Sequence, residues 1–482
     1  MNKHIEHFHA NNYNIVHTTR IKIFLWRSLL LIAAGCITMV LSSCEQFLDV
    51  SLPGSRVVSE AVFGNEDTAT SAVVGMYYQM VLHDAFSSGA TSSVTVMSAL
   101  SSDELDDYSR ETSVGEFRHN ELSAANPYNL SIWRTMYKII YMANAVIDGL
   151  EKSSGLRDEV KRQLDGEARF VRAFTYFYLV NLFGGAPLLT STGYQDNMVS
   201  ERADAIDIND QIISDLIIAK DELAAQYISG ERVRPNSAAA AALLARVYLY
   251  KGEWSNAAQE ATLVIDNSEY TLAPIDEVFL KNSPEAIWQL VPVFGGNTLE
   301  GNIFILTTAP GTQVPFALSD HVVESFEAND IRAVSWVGEY ATEDDVFHYA
   351  HKYKIKSTAD EPVEYSMVLR LAECYLIRAE ARTELHDFAG AQADINSIRT
   401  RAGLLETDAA DRNSLLNAVM QERKVELFTE WGHRWLDLKR TGSANTILSP
   451  IKQLWQDTDV LYPIPRDEMD KAPNLKPQNP GY

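Results

Sequence analysis

Apolar residues recur every three to four positions along most of the chain, the period of a helix with one buried face. Trp133, Met136, Tyr137, Ile140, Ala143, Asn144 and Ile147 fall on one such stripe, and Phe170, Ala173, Phe174, Phe177, Tyr178 and Asn181 on another. The second helix is expected to stop at Gly184-Gly185, with Pro187 just beyond. The same pattern predicts helices near 208–225, 237–251, 255–266, 366–385, 389–402 and 412–430. Two stretches break it. Between about 268 and 364, Gly295-Gly296-Asn297, Gly301-Asn302, Pro310-Gly311 and Pro315 interrupt any long helix, and Ile303-Phe304-Ile305-Leu306 reads as β-prone. A second irregular stretch runs from roughly 84 to 131. The chain is therefore mainly α, with long loop-rich insertions of the kind that carry binding sites.

Two helix pairs look like copies. Leu244 to Ala257 (LARVYLYKGEWSNA) aligns, at a shift of 134 residues, with Arg378 to Ala391 (RAEARTELHDFAGA). Ala245 meets Ala379, Glu253 meets Asp387, Trp254 meets Phe388, and Ala257 meets Ala391. Small residues let helices approach closely, an acid opens the second helix, and an aromatic side chain fills the corner. This resembles the tetratricopeptide unit, whose tandem repeat is about 34 residues. A shift of 134 predicts a superhelix interrupted by a large insertion.

An apolar run from Leu29 to Leu41 precedes all of this and ends in Leu41-Ser42-Ser43-Cys44. Arg20, Lys22 and Arg27 stand before it with Glu6 as the one acid, and the run is too short to span a ~30 Å hydrocarbon core. Residues 1–43 thus read as an export signal. The branched-small-small-Cys ending resembles a bacterial lipobox, with Cys44 lipidated as the first mature residue. Ala33-Ala34-Gly35-Cys36 fits less well, leaving only eight residues between Arg27 and the thiol.

Charge and thiols narrow the chemistry. A net charge of −24, with 65 acidic against 41 basic residues, opposes binding to phosphate backbones, so nucleic acid is excluded as a partner. Of three cysteines, only Cys44 and Cys374 follow residue 43, which rules out an intrachain disulfide framework or a cysteine metal site in the mature chain. Cys374 reads as a small buried residue. There is no nucleophile elbow, no His-Glu-x-x-His helix and no phosphate-binding loop. His348-x-x-His351 approximates a ligand pair on a helix but has no third ligand nearby. No catalytic residue, metal site or cofactor is assigned.

Five segments together resemble the SusD/RagB family of outer-membrane nutrient-binding lipoproteins. They are Phe47-Leu48-Asp49-Val50 with Pro53-Gly54, then Gly166 to Phe174 running into Tyr176 to Leu188, then Glu422 to Leu427 with Gly432 to Gly442. Leu461 to Pro465 and the terminal Asn474-Leu475 and Gln478 to Tyr482 complete the series. The resemblance implies a signal peptide at 1–43, an N-terminal region at 44–235, and a C-terminal region at 236–482 holding the repeat-like pairs and the 268–364 insertion. It implies a tetratricopeptide-like superhelical scaffold anchored by lipid at Cys44 to the outer face of the outer membrane. There it would bind glycan, or alternatively peptide, as a non-enzymatic lid on a SusC-like TonB-dependent transporter. Glu167, Arg169, Arg172, Glu422, Arg423, Glu426, His433 and Arg434 are expected to lock helices together through buried or partly buried ion pairs.

Sugar recognition needs aromatic faces for C–H surfaces and amides or carboxylates for hydroxyls. Tyr108, Tyr128, Phe294, Phe304, Phe316 and Trp336 lie in the irregular segments, with Asp107, Asn126, Asn129 and Asn297 nearby. Of these, Tyr108, Phe294 and Phe304 are the ligand-binding candidates. Two rival functions remain: a lipid-anchored glycoside hydrolase, and a repeat scaffold whose helical groove binds a peptide.

Overall fold

The computed structural model describes residues 59–482, apart from 294–295 and 357–360. The export signal, Cys44, the Phe47-Leu48-Asp49-Val50 motif and Phe294 lie outside the described residues. Ten helices form the frame: α1 (Glu66–Met80), α2 (Pro127–Lys152), α3 (Asp158–Phe183), α4 (Ala205–Glu222), α5 (Ser237–Lys251), α6 (Trp254–Ile265), α7 (Leu371–Glu384), α8 (Phe388–Arg401), α9 (Arg412–Glu426) and α10 (His433–Arg440). Local chemistry sets their ends. Asn126 caps α2 by accepting from the Tyr128 and Asn129 amides at 2.9 and 3.1 Å, with Pro127 in the first turn. Gly184 ends α3 at φ +71°, a conformation a side chain disfavours. Asp411 and Ser414 form a reciprocal capping box at the start of α9.

Neighbouring helices pack in sequence: α2 on α3, α3 on α4, α4 on α5, α5 on α6, α6 on α7, and α7 on α8, with α9 against both α7 and α8. The 134-residue shift therefore interrupts the sequence but not the stack, because α6 packs directly on α7. Ala245, Ala257, Ala379 and Ala391 are fully buried at these contacts, as expected of small residues at close helix crossings. Asp387 caps α8 through the Gly390 amide at 3.0 Å, whereas Glu253 makes no such cap on α6. Among the described residues, no helix is long and apolar enough to cross a membrane.

Short antiparallel strands occupy the insertions: β1 (Leu105–Asp107) pairs with β3 (Phe316–Leu318), β2 (Ala286–Leu290) with β6 (Ser366–Arg370), and β4 (Val337–Ala341) with β5 (Val346–Ala350). The helix expected over 366–385 starts only at Leu371. Ser366–Arg370 is buried on both faces and takes β2 as its partner, so tertiary pairing overrides an apolar run that fits either state. The Ile303 to Leu306 run is not a strand. A turn of helix, Leu299–Phe304, holds its start, capped by the Thr298 hydroxyl on the Gly301 amide. His348 lies in β5 and His351 just after it, where a three-residue spacing puts side chains on opposite faces and removes the helical ligand-pair geometry. Among the described residues no cluster of three His, Cys, Asp or Glu could hold a metal ion.

Buried ion pairs tie insertion to helices. Arg370, at the end of β6, reaches Glu285, Glu426 and Glu430 at 2.9, 2.6 and 2.8 Å. Arg332 holds Asp330, Glu422 and Glu426 at 2.8, 2.9 and 2.8 Å. Burial alone would raise the Glu426 carboxyl, but Arg401, Arg370 and Arg332 together hold it well below the usual range. Arg172 meets Asp215 at 2.6 Å, Arg234 meets Glu167 at 2.6 Å, Arg423 meets Asp437 at 2.7 Å, and Arg434 meets Asp103 at 2.7 Å. Burial, reinforced by Arg246 and Arg423, keeps His433 neutral by lowering its pKa well below the ordinary value. The charged residues of the sequence motifs are thus architectural.

Candidate functional site

The two irregular segments, 84–131 and 268–364, meet through the β1–β3 ladder. Leu105 stands opposite Leu318, Asp106 opposite Ala317, and Asp107 opposite Phe316. The Tyr108 amide continues the ladder onto the Pro315 carbonyl at 2.7 Å. β5 lies beside β3, which brings the Phe347 ring edge-on to Tyr108, with centroids 5.7 Å apart and planes at 88°. Both rings are half-buried. In the β4–β5 hairpin, Gly338 leaves room for the Tyr349 ring on the opposite strand, which would lie 2.2 Å from a Cβ there.

Beside Tyr108 opens a cleft of about 730 Å³, walled by Asp106, Asp107, Arg118 and His119 on one side and by Ile451, Gln453 and Leu454 on the other. Arg118 clasps Asp106 through Nη2 at 2.6 Å, and Asp107 accepts from the Ser109 amide at 2.8 Å. Lys452 borders the cleft but turns its ammonium inward, donating to the Leu100 and Ser101 carbonyls and to Asn120 Oδ1. Burial of the Tyr108 phenol raises its pKa, and Asp106, Asp320 and Asp345 push it in the same direction. A ring pair with flanking carboxylates and an arginine can stack on a ligand's apolar face and hydrogen-bond its hydroxyls.

The other sequence candidates divide sharply. Phe304 is 3% exposed and packs in the main core, so its ring cannot meet a ligand. Phe316 and Trp336 are buried too, and the Trp336 indole is spent on the Ile275 carbonyl at 3.0 Å. Tyr128 donates to Glu111, Asn126 caps α2, and Asn129 donates to the Pro463 carbonyl. Sequence reasoning missed Phe347, Arg118, Asp320 and Asp345. The alternation Val346-Phe347-His348-Tyr349 marks a strand with aromatics on one face, but only pairing across some 200 residues sets Phe347 against Tyr108.

Two rival chemistries can be set against the same geometry. A glycosidase needs one carboxylic acid kept protonated about 5–9.5 Å from a second carboxylate, across a reachable bond. Burial raises Glu104 to about 8, helped by Asp103, and Glu300 to about 7, but both are sealed inside. Glu222, raised to about 7 by burial and then by its hydrogen bond to Asp165, touches that second carboxylate with no room for a sugar between them. On the helical stack a cleft of about 560 Å³ is lined by Tyr250, Trp254, Glu380, Glu384, Arg412 and Arg440. Its charges already cancel through Arg440–Glu380 and Arg412–Glu384, at 2.5 and 2.7 Å.

Comparison with known proteins agrees with this architecture. Residues 46–249 match a family described as starch-binding and associating with the outer membrane, and residues 345–482 match the SusD family. The chain belongs to the SusD/RagB family. A SusD-like protein of Formosa agariphila is 26% identical over 90% of this chain and 95% of its own length. A SusD superfamily protein of Bacteroides vulgatus superposes with a TM-score of 0.79 at 20% identity, covering 87% of this chain and 99% of that one. A laminarin-binding SusD-like protein superposes with a TM-score of 0.72 at 23% identity, covering 87% and 100%.

Proposed function

We propose that this protein is a lipid-anchored, surface-exposed glycan-binding protein of the outer membrane that captures oligosaccharide at the Tyr108–Phe347 face without altering it. It hands the cargo to a SusC-like TonB-dependent transporter, over which it acts as a lid. The observation that carries the reading is the convergence of both insertions on one half-exposed aromatic pair beside an open cleft. Family membership and the laminarin-binding relative support glycan as the ligand class. The family's outer-membrane association, together with the lipobox-like Leu41 to Cys44, supports the location and the anchor at Cys44. Several acyl chains on Cys44, each methylene contributing ~0.8 kcal/mol, would hold the body at the membrane without a spanning helix.

The test is a glycan array probed with the soluble chain beginning after Cys44, followed by chromatography of any bound glycan. Retention of a glycan, loss of retention in Tyr108→Ala and recovery of unshortened ligand are expected. Chain cleavage, or retention untouched by Tyr108→Ala, would overturn the assignment.

A further inference from the structure

The cleft beside the ring pair has two unlike walls, and their chemistry sets the length of ligand it takes, given the glycan-binding reading above. One wall is polar. A helix over Thr112–His119 packs against β1 and carries Gly115 and His119 one turn apart on the same face. A Cβ at Gly115 would stand 3.9 Å from Asp107 Oδ2 and 3.9 Å from His119 Cδ2, with no other non-neighbouring side chain within 4 Å. The missing side chain therefore leaves a gap bordered by a carboxylate and an imidazole. Both groups line the cleft together with Tyr108. The Ser109 amide holds Asp107 through Oδ1, and neither Oδ2 nor the His119 ring has a hydrogen-bond partner among the described residues. The other wall is apolar at Ile451 and Leu454, and Leu454 is 51% exposed.

We infer that Asp107 and His119 form a second sugar subsite beside the ring pair, so that the protein selects oligosaccharides of two or more units over single sugars. Asp107 directly precedes Tyr108, with Cα atoms about 3.8 Å apart, so a sugar chain seated on the ring runs next into the gap. A carboxylate accepts from a sugar hydroxyl, and an imidazole can both donate and accept, so the two groups engage hydroxyls in either direction. Leu454 and Ile451 offer the apolar surface that the C–H face of the same unit needs. The cleft of about 730 Å³ falls within the ~300–1,000 Å³ that takes a drug-sized ligand, well beyond a single sugar ring. Arg118 and Lys452 add nothing free to this subsite, since one is clasped on Asp106 and the other is turned inward.

The test uses the soluble chain beginning after Cys44 with laminari-, malto-, xylo- and manno-oligosaccharides of one to six units, read by titration calorimetry. In whichever series binds, the trisaccharide is expected to bind at least tenfold more tightly than the monosaccharide. Gly115→Leu fills the gap from a helical position where the added Cβ comes no closer than 3.9 Å to a listed neighbour such as Asp107. It is expected to weaken trisaccharide binding at least tenfold, with the thermal midpoint at or above wild type because leucine favours a helix over glycine. His119→Ala, on an exposed side chain with no hydrogen-bond partner among the described residues, is expected to cost the trisaccharide at least threefold and the monosaccharide nothing. A rise of less than tenfold from one unit to three overturns the inference. So does wild-type trisaccharide affinity in His119→Ala, or in folded Gly115→Leu. Failure of all four series to bind would instead sink the glycan-binding reading itself.

Discussion

The helical frame and the Tyr108–Phe347 face treat charge in different ways. In the frame, ion pairs are buried: Arg370 and Arg401 share Glu285 and Glu426, Arg332 joins them on Glu426, and Arg172 is locked on Asp215. Around the Tyr108–Phe347 pair the charges are more open: Asp320 and Asp345 are exposed and make no ion pair among the described residues, and the Arg118–Asp106 pair is partly in solvent. Aromatics divide the same way. Phe304, Phe316 and Trp336 fill the core, whereas Tyr108 and Phe347 keep part of each ring in solvent. Buried ion pairs tie the insertion to the helices, whereas the exposed carboxylates stay in contact with solvent.

Breaking the frame should cost most. Arg370→Met strands Glu285, Glu426 and Glu430 in the interior and is expected to destabilise by about 3–5 kcal/mol, read from chemical denaturation. A stability close to wild type would show that the network is dispensable. Phe304→Ala should cost roughly 3 kcal/mol for the cavity it leaves. Where the variant folds, glycan affinity should be unchanged, and a selective loss of binding would return Phe304 to the ligand site.

The buried acids give the frame a pH signature. Glu104 in the folded chain keeps its proton until about pH 8, whereas in the unfolded chain it releases it near 4.5. At Glu104 the folded state therefore binds more protons between those values, and the stability this residue contributes falls as pH rises from about 5 to 8. Glu104→Gln should remove part of that slope, on the order of 2 kcal/mol across the window, in denaturation curves taken at several pH values. An unchanged slope would show that Glu104 is not the group responsible. His433 acts at the other end. Its folded pKa is depressed, so the stability it contributes is present above about pH 6.5 and is lost as pH falls below that.

The smallest expected effect on stability, and the largest on binding, belongs to Tyr108→Ala. Stability should fall by about 1 kcal/mol for the lost edge-on contact with Phe347, while the affinity of the folded protein for glycan drops at least tenfold. Unchanged affinity in the folded variant would mean that the ring is structural.

The frame was largely legible because its signals are local. The stripes on α2 and α3, the Gly184 stop and the alanines shared by the two helix pairs are all written within a few helical turns. What escaped was set by partners far along the chain. Ser366–Arg370 is a strand only because Ala286–Leu290 lies beside it, and α6 meets α7 only because the insertion folds out of the way. The Tyr108–Phe347 face was legible in part. Tyr108 follows an acidic run in a loop, and the structure keeps it at the surface, whereas Phe304 sits in a similar setting and is turned inward by a helical turn that Thr298 caps. Phe347 carried no mark of its own, since its partner is 239 residues away.

Amide hydrogen exchange with and without a bound glycan tests the central claim most directly. Ligand should slow exchange at 105–108 and 345–349 and leave α5, α6, α7 and α8 unchanged. Protection confined to those four helices, with none at the Tyr108–Phe347 face, would contradict it.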